Sequence, residues 1–284
     1  MKNTLLAALI ATLLAAPVCT AEKSLGLTLA QIEADRKAIV AEMVAPTEGQ
    51  ADQFWQAYWQ HRGGVKMLTD RVVEVMQEFA AAEGSLSGDR SAALVLEVMD
   101  IEKRRAALKQ SSLRKMQGIL GPGQVVRWYE TERKMDSVIR AEMALTIPFN
   151  DLASRPDGEL TKAEIRSNRE GLAVAIVQPM EDQTRPFLYT YRNYTKKSDA
   201  LNERISKLVA EYVNSPTLLS EKQAKQITKE GAEIDAARVK ALSTMIYSLR
   251  ADLTGKQMAR LMQCELKMNA VIDLALAAAI PIHQ

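Results

Sequence analysis

The chain has 284 residues, of which 47% are hydrophobic, 25% charged and only 5% aromatic, with 37 basic residues against 35 acidic ones. A net charge of +2 argues against a nucleic-acid partner, which requires a concentrated basic surface. Two cysteines in such a length exclude a fold stapled by disulfides, so stability has to come from a hydrophobic core.

The chain opens MKNTLLAALIATLLAAPVCTAEK: Lys2, an apolar run from Leu5 to Ala16, then small residues to Ala21. This is the pattern of an export signal, residues 1–21, cleaved after about Ala21. The run is too short for a spanning helix, which needs about 20 residues. No later segment is apolar for longer, so no integral membrane span is expected. Lipid modification of Cys19 is disfavoured, because Pro17 and Val18 stand where small residues are wanted. Loss of the leader removes Lys2, lowering the net charge by one, and leaves Cys264 as the one thiol. A packed thiol on a helix is the favoured reading of Cys264.

Ala, Leu, Met, Glu, Lys, Gln and Arg abound, and period-2 runs of β-branched residues are lacking, which predicts an all-α protein. Helix A is predicted from its N-cap Thr28 to Val44, with Leu29, Ile32, Ile39, Val40 and Met43 on one face. Pro46 stops it, lacking an N–H and clashing with the preceding turn. Helix B follows Thr47 and runs to about Ala82. Along it Phe54, Tyr58, His61, Val65, Leu68, Val72, Val75 and Phe79 step by four and three, a heptad seam. GSLSGD (84–89) breaks the chain before helix C, from about Asp89 to Gly118. LGPGQ (120–124) turns the next corner, and helix D runs from Pro122 to about Leu145, with Pro148 ending it. Residues 147–159, rich in Pro, Asn, Asp and Gly, read as a linker.

The chain then repeats itself. KMDSVIRAEMALTIPF (134–149) is echoed by KMNAVIDLALAAAIPI (267–282), and residues 27–149 align with 160–282 without a gap. VAPTEGQADQF (44–54) meets VQPMEDQTRPF (177–187), and ILGPGQVVRWYETERKM (119–135) meets DLTGKQMARLMQCELKM (252–268). The helix B seam recurs as Phe187, Tyr191, Tyr194, Ser198, Leu201, Ile205, Leu208 and Tyr212, and Pro281 ends the final helix as Pro148 ends its counterpart. This is a tandem duplication. The expected fold is all-α: two four-helix units, residues 22–146 and 160–284. Each is a long antiparallel helical hairpin with two shorter helices packed on it, and a pseudo-twofold relates the two, as in a homodimer written into one polypeptide.

The motif L-T-x-x-Q stands as LTLAQ (27–31) at helix A and as LTGKQ (253–257) at the last helix, with altered forms LTKAE (160–164) and LGPGQ (120–124). An exported helical protein with this motif at the first and last helices of a four-helix unit resembles the Spy/CpxP-like periplasmic family. The longer pattern, TEGQADQFW, then KM..VI..E, then IP, is similar to uncharacterised exported proteins built from one such unit. The resemblance spans nearly the whole mature chain. It implies a curved, usually dimeric helical cradle in the periplasm, acting as an ATP-independent chaperone or a stress-signalling adaptor. Some relatives are linked to heavy-metal response. This chain departs from the family in being duplicated, and in being nearly neutral where chaperone-type members tend to be basic.

Chemistry-bearing residues are sparse. His61, His283 and Cys264 lie far apart and make no ligand spacing, and nothing resembles a calcium loop, so no metal and no cofactor are expected. His61, on the seam where the second repeat has Tyr194, reads as a packed histidine. G-x-S-x-G, H-E-x-x-H and a phosphate-binding glycine loop are all missing, so no enzyme activity is expected. Arg105 and Arg238 lie on the apolar stripe of helix C, and Glu132 and Glu265 on that of helix D. A charge on a packed face needs a partner, which predicts ion pairs Arg105–Glu132 and Arg238–Glu265. FWQAYW (54–59) places Phe54, Trp55, Tyr58 and Trp59 as a candidate partner-binding patch, with packing beneath helix A as its bland alternative. The second repeat has Leu188 and Arg192 in place of the two tryptophans. Gly63-Gly64, where the second repeat has Lys196-Lys197, reads as a bend or a tolerated weakness. The functional expectation is a non-enzymatic binding protein holding a protein client or envelope partner. The alternative is an envelope scaffold acting through helix–helix assembly. A homo-oligomer is left open.

Overall fold

A computed structural model describes residues 27–81, 86–145, 161–214 and 219–282. The leader and the linker 147–159 lie outside these residues. The described chain is all-helical, with eight helices and no strand: α1 Leu29–Val44, α2 Glu48–Ala81, α3 Gly88–Ile119, α4 Pro122–Leu145, α5 Lys162–Val177, α6 Glu181–Asn214, α7 Glu221–Leu249 and α8 Gly255–Ala277. Among them no helix is long and apolar enough to cross a membrane.

Local chemistry sets these limits. Thr28, Thr161, Ser220 and Thr254 each accept from the backbone N–H three residues on. The Gln or Glu at that third position returns a bond to the cap backbone, giving four capping boxes. Both α1 and α5 end in a left-handed residue, Ala45 (φ 47) and Gln178 (φ 51), followed by Pro46 and Pro179. α5 differs from α1 in one respect: Asn168 leaves helical geometry (φ −140, ψ 25). Gly171 makes room for it, since a Cβ there would stand 2.2 Å from Asn168 Oδ1.

The seam of α2 is buried along its whole length, and that of α6 is buried except for half-buried Leu201. α2 and α3 pack as a hairpin, as do α6 and α7. α1 lies on α4, and α5 on α8. α3 and α4 meet α7 and α8 in every combination, α3–α7, α3–α8, α4–α7 and α4–α8. The apolar interior follows these contacts and not the repeat boundary. Leu68, Val72, Phe79, Leu94 and Val98 of α2 and α3 belong to one core with Phe187, Tyr191, Leu208, Ile246 and Met268 from the second repeat. Leu27, Val40, Phe54, Met116 and Trp128 form the other. Of the two adjacent glycines Gly64 has a packing role. α2 runs through both glycines as one helix, and a Cβ on Gly64 would come within 2.7 Å of Leu108 Cδ2. Gly64 therefore makes room for the Leu108 side chain of α3.

Two pairs of glutamines lock the corners. Gln257 Nε2 donates to Gln178 O (3.1 Å) and to Gln183 Oε1 (2.8 Å), and Gln183 Nε2 donates to Asp252 O (2.7 Å). In the first repeat Gln124 Nε2 donates to Ala45 O (2.9 Å) and Gln50 Nε2 to Ile119 O (3.0 Å), and the two side chains bond each other. Helix C-termini leave carbonyls without intrahelical partners. These amides satisfy such carbonyls at two turns at once, which gives the repeated glutamines a physical reason. Gln257→Leu is therefore expected to cost about 1–3 kcal/mol in urea unfolding, because it strands buried acceptors. The more exposed Gln124→Leu should cost less. Unchanged stability in Gln257→Leu would show that the corner does not depend on the staple.

Candidate functional site

Each repeat buries a matched carboxylate of its last helix, Glu132 or Glu265, against the first two helices. In the first, Glu132 of α4 is 1% exposed. Tyr58 donates to it at 2.8 Å, Arg62 at 3.1 Å and Arg36 at 3.4 Å. In the second, Glu265 of α8 is fully buried and accepts from Tyr191 and Tyr194, both at 2.6 Å, and from Arg169 at 2.5 Å. Burial, reinforced by the neighbouring glutamate, pushes all three tyrosine hydroxyls well above their ordinary acidity range. They stay protonated and act as donors. His61 takes the place of Tyr194 and is buried, its Nδ1 3.0 Å from Ser112 Oγ and its ring edge-on to Trp128. Burial lowers its pKa against the pull of Glu132, so the imidazole is neutral at neutral pH.

This geometry corrects the expected pairs. Arg105 does not reach Glu132; it lies 3.3 Å from Glu102 on its own helix and donates to Thr69 at 3.2 Å. Arg238 does not reach Glu265; it bonds Asp273 at 2.5 Å. The reason is the packing partner: Glu132 and Glu265 face the first two helices of their repeats, so the counter-cations come from α1 and α2 for Glu132 and from α5 for Glu265. Arg36 and Arg169 are identical at matched positions, which is the sequence signal for this role. Phe54 and Tyr58 are also corrected as binding residues. Both are fully buried, Tyr58 by its bond to Glu132. Of the aromatic patch only Trp55, half-buried under Lys37 Nζ at 5.5 Å, and Trp59, 47% exposed, face outward. The two indoles stack with centroids 6.1 Å apart. In the second repeat Arg192, matched to Trp59, makes an exposed ion pair at 2.6 Å with Glu170, matched to Lys37.

Between the repeats lies a cavity of about 200 Å³ whose walls come from α2, α3, α4, α6, α7 and α8. Lys109 of α3 bonds Asp235 of α7 at 2.7 Å, and Tyr129 of α4 donates to the same carboxylate at 2.7 Å. Gly231 admits that tyrosine, since a Cβ there would stand 2.8 Å from its ring. Burial alone would raise the Asp235 carboxyl. Lys109 and Arg133, with hydrogen bonds from Lys109 and Tyr129, hold it well below the usual range instead. Arg140 of α4 meets Glu102 of α3 at 3.0 Å. Arg133 stacks over Tyr129, and its Nε lies 3.5 Å from Glu130. Both oxygens of Glu130 and both terminal nitrogens of Arg133 are buried without a hydrogen bond. Burial raises the Glu130 pKa, opposed by Arg133.

Cys264 is buried on α8, and burial, then Glu265, holds its thiol far above the range in which a reactive thiolate forms. Among the described residues no group of three or more His, Cys, Asp or Glu side chains is placed to hold a metal ion.

Two outcomes follow from these networks. Glu265→Ala leaves Arg169 buried without its carboxylate and is expected to cost about 3–5 kcal/mol in chemical denaturation; a loss under 1 kcal/mol would contradict the assigned role. Asp235 has a folded pKa below its unfolded value of about 3.9. Its contribution is therefore complete above that value and lost as pH falls through the folded pKa. Asp235→Asn should lower stability at pH 7 and flatten the acid limb of the stability–pH curve, with the two proteins converging at low pH. Comparison with protein-family models, curated proteins and solved structures gives no match to this chain, so the site is read from its own geometry.

Proposed function

We propose that the protein is a non-enzymatic binding protein exported to the periplasm. It is of the chaperone-like or stress-adaptor kind and holds a protein client or envelope partner on a helical apolar surface. We infer two tandem four-helix units related by a pseudo-twofold as the architecture behind it. Supporting observations are the matched helix lengths (16 and 16, 34 and 34, 32 and 29, 24 and 23 residues). The reciprocal contacts α3–α8 and α4–α7 and the paired glutamine corners point the same way. The export leader and the L-T-x-x-Q resemblance supply the periplasmic part of the reading.

The observation that carries the functional reading is Trp59. It stands 47% exposed on Trp55, where its counterpart in the second repeat, Arg192, makes an ion pair with Glu170 instead. Tryptophan is among the residues that most often dominate protein–protein binding energy. The partner it fits is an apolar or aromatic side chain of an unfolded or partly exposed polypeptide.

The test is suppression of light scattering by a chemically unfolded client. The wild-type chain should suppress aggregation at near-stoichiometric ratios. Trp59→Arg, which installs the residue of the second repeat, should weaken suppression several-fold while changing stability by no more than about 0.5 kcal/mol, as for an ordinary surface change. Equal suppression by both proteins would move the binding surface elsewhere. No suppression by either, together with a stable envelope complex recovered by in-cell crosslinking, would favour the scaffold reading.

A further inference from the structure

The cavity between the repeats holds more positive charge, and more hydrogen-bond donors, than its own walls satisfy. Glu102 is shared by Arg105 of the same helix at 3.3 Å and by Arg140 of α4 at 3.0 Å. Arg238 of α7 stands close enough to Glu102 to stabilise its charge as well, and bonds Asp273 of α8 at 2.5 Å. Three guanidiniums from three helices thus share Glu102 and Asp273, with Asp136 acting on Arg105 and Arg140 beyond ion-pair distance. Each guanidinium carries five N–H donors in a rigid fork. Arg140 spends one nitrogen on Glu102 and Arg238 one on Asp273, and the Nε of Arg105 is buried without a partner. The side chains of Arg140 and Arg238 are 31% and 20% exposed, so their remaining donors are reachable. Water can satisfy such donors but brings no charge, and an uncompensated charge in a low-dielectric wall is costly. The other carboxylate of the wall near α2, Asp136, is already taken by Arg62 at 3.0 Å.

We propose that this cavity is a binding site for a small oxyanion, a phosphate or carboxylate group held in the fork of Arg105, Arg140 and Arg238. The volume, about 200 Å³, is well above the roughly 10–15 Å³ that one water needs on the same measure, so several heavy atoms fit. Val72, Met76, Leu242 and Leu276 line the same space and would receive a short carbon skeleton. Guanidinium forks match both carboxylate and phosphate bidentately, so the chemistry common to the two is what the cavity specifies. Because the arginines come from α3, α4 and α7, a bound anion would tie the two repeats together. This inference is independent of the protein-partner reading above, which rests on the outer face of α2.

The test is thermal unfolding of the full chain in inorganic phosphate, in malonate and in chloride at matched ionic strength. Phosphate or malonate should raise the midpoint saturably, and chloride should not. The stronger of the two names the source of the oxyanion. Arg140→Gln with Arg238→Gln should weaken the apparent affinity at least tenfold. An equal rise in chloride, no rise at all, or a rise untouched by the double substitution would overturn the proposal. Should the double variant fail to fold, wild-type crystals soaked in selenate decide. An anomalous peak within hydrogen-bond distance of these arginines supports the site, and a cavity without one refutes it.

Discussion

A carboxylate buried at the junction of three helices is the constraint on which the rest of this molecule depends. Glu132 and Glu265 cannot sit in an apolar interior unpaired, because transfer of an isolated charge from water is prohibitive. Each is met by an arginine from the first helix of its repeat and a tyrosine from the second. That requirement fixes rotation and register together. α1 must present Arg36, α2 must present Tyr58, and α4 must turn Glu132 toward both. The glutamine staples at the far end of the same helices then hold the corners in the matching register. Apolar contacts supply most of the driving force for burial. The polar crossing selects one packing among those the apolar surfaces would allow.

Once α4 and α8 are committed to their own first helices, their other faces are left to each other and to α3 and α7. There the repeats have diverged. Lys109 of the first repeat pairs with Asp235 of the second, but their matched residues are Leu242 and Glu102. Glu102 takes Arg105 and Arg140 instead. On the proposed reading of two tandem units the halves are free to do this, whereas a homodimer must use each substitution twice. Trp59 is matched by Arg192 and Arg140 of the cavity by Asp273, whereas Arg105 and Arg238 of the cavity are an identical matched pair.

The elements were legible in the sequence because their signals are local. Thr28, Pro46, LGPGQ and the four-and-three seam from Phe54 to Phe79 each act within a few residues, and the helices end where those residues place them. The burial of Glu132 and Glu265 was legible too, since a charge on an apolar stripe is a local oddity. Their partners were not. Choosing Arg36 over Arg105 requires knowing which helix faces α4, and that is decided by packing between elements far apart in the chain. Internal comparison contained the missing clue: Arg36/Arg169 and Tyr58/Tyr191 are identical pairs, and each pair meets an identical glutamate. Phe54 and Tyr58 were misread for a related reason. A helix face wide in aromatics does not say which side is covered, and α4 covers that one. The central cavity is marked locally only by Arg105 and Arg238 on their apolar stripes, because its charges come from four helices far apart in the chain.

The account is tested most directly by a double-mutant cycle across the crossing in the second repeat, with Arg169→Met, Glu265→Leu and the pair combined. If the buried charge pair sets the packing of α5 on α8, the two substitutions will be strongly coupled. The double variant will recover about 2 kcal/mol or more of what the single losses predict, at the upper end of measured pairwise couplings. Additive losses, within about 0.5 kcal/mol, would mean that apolar packing alone positions the helices and that the buried carboxylate is a passenger.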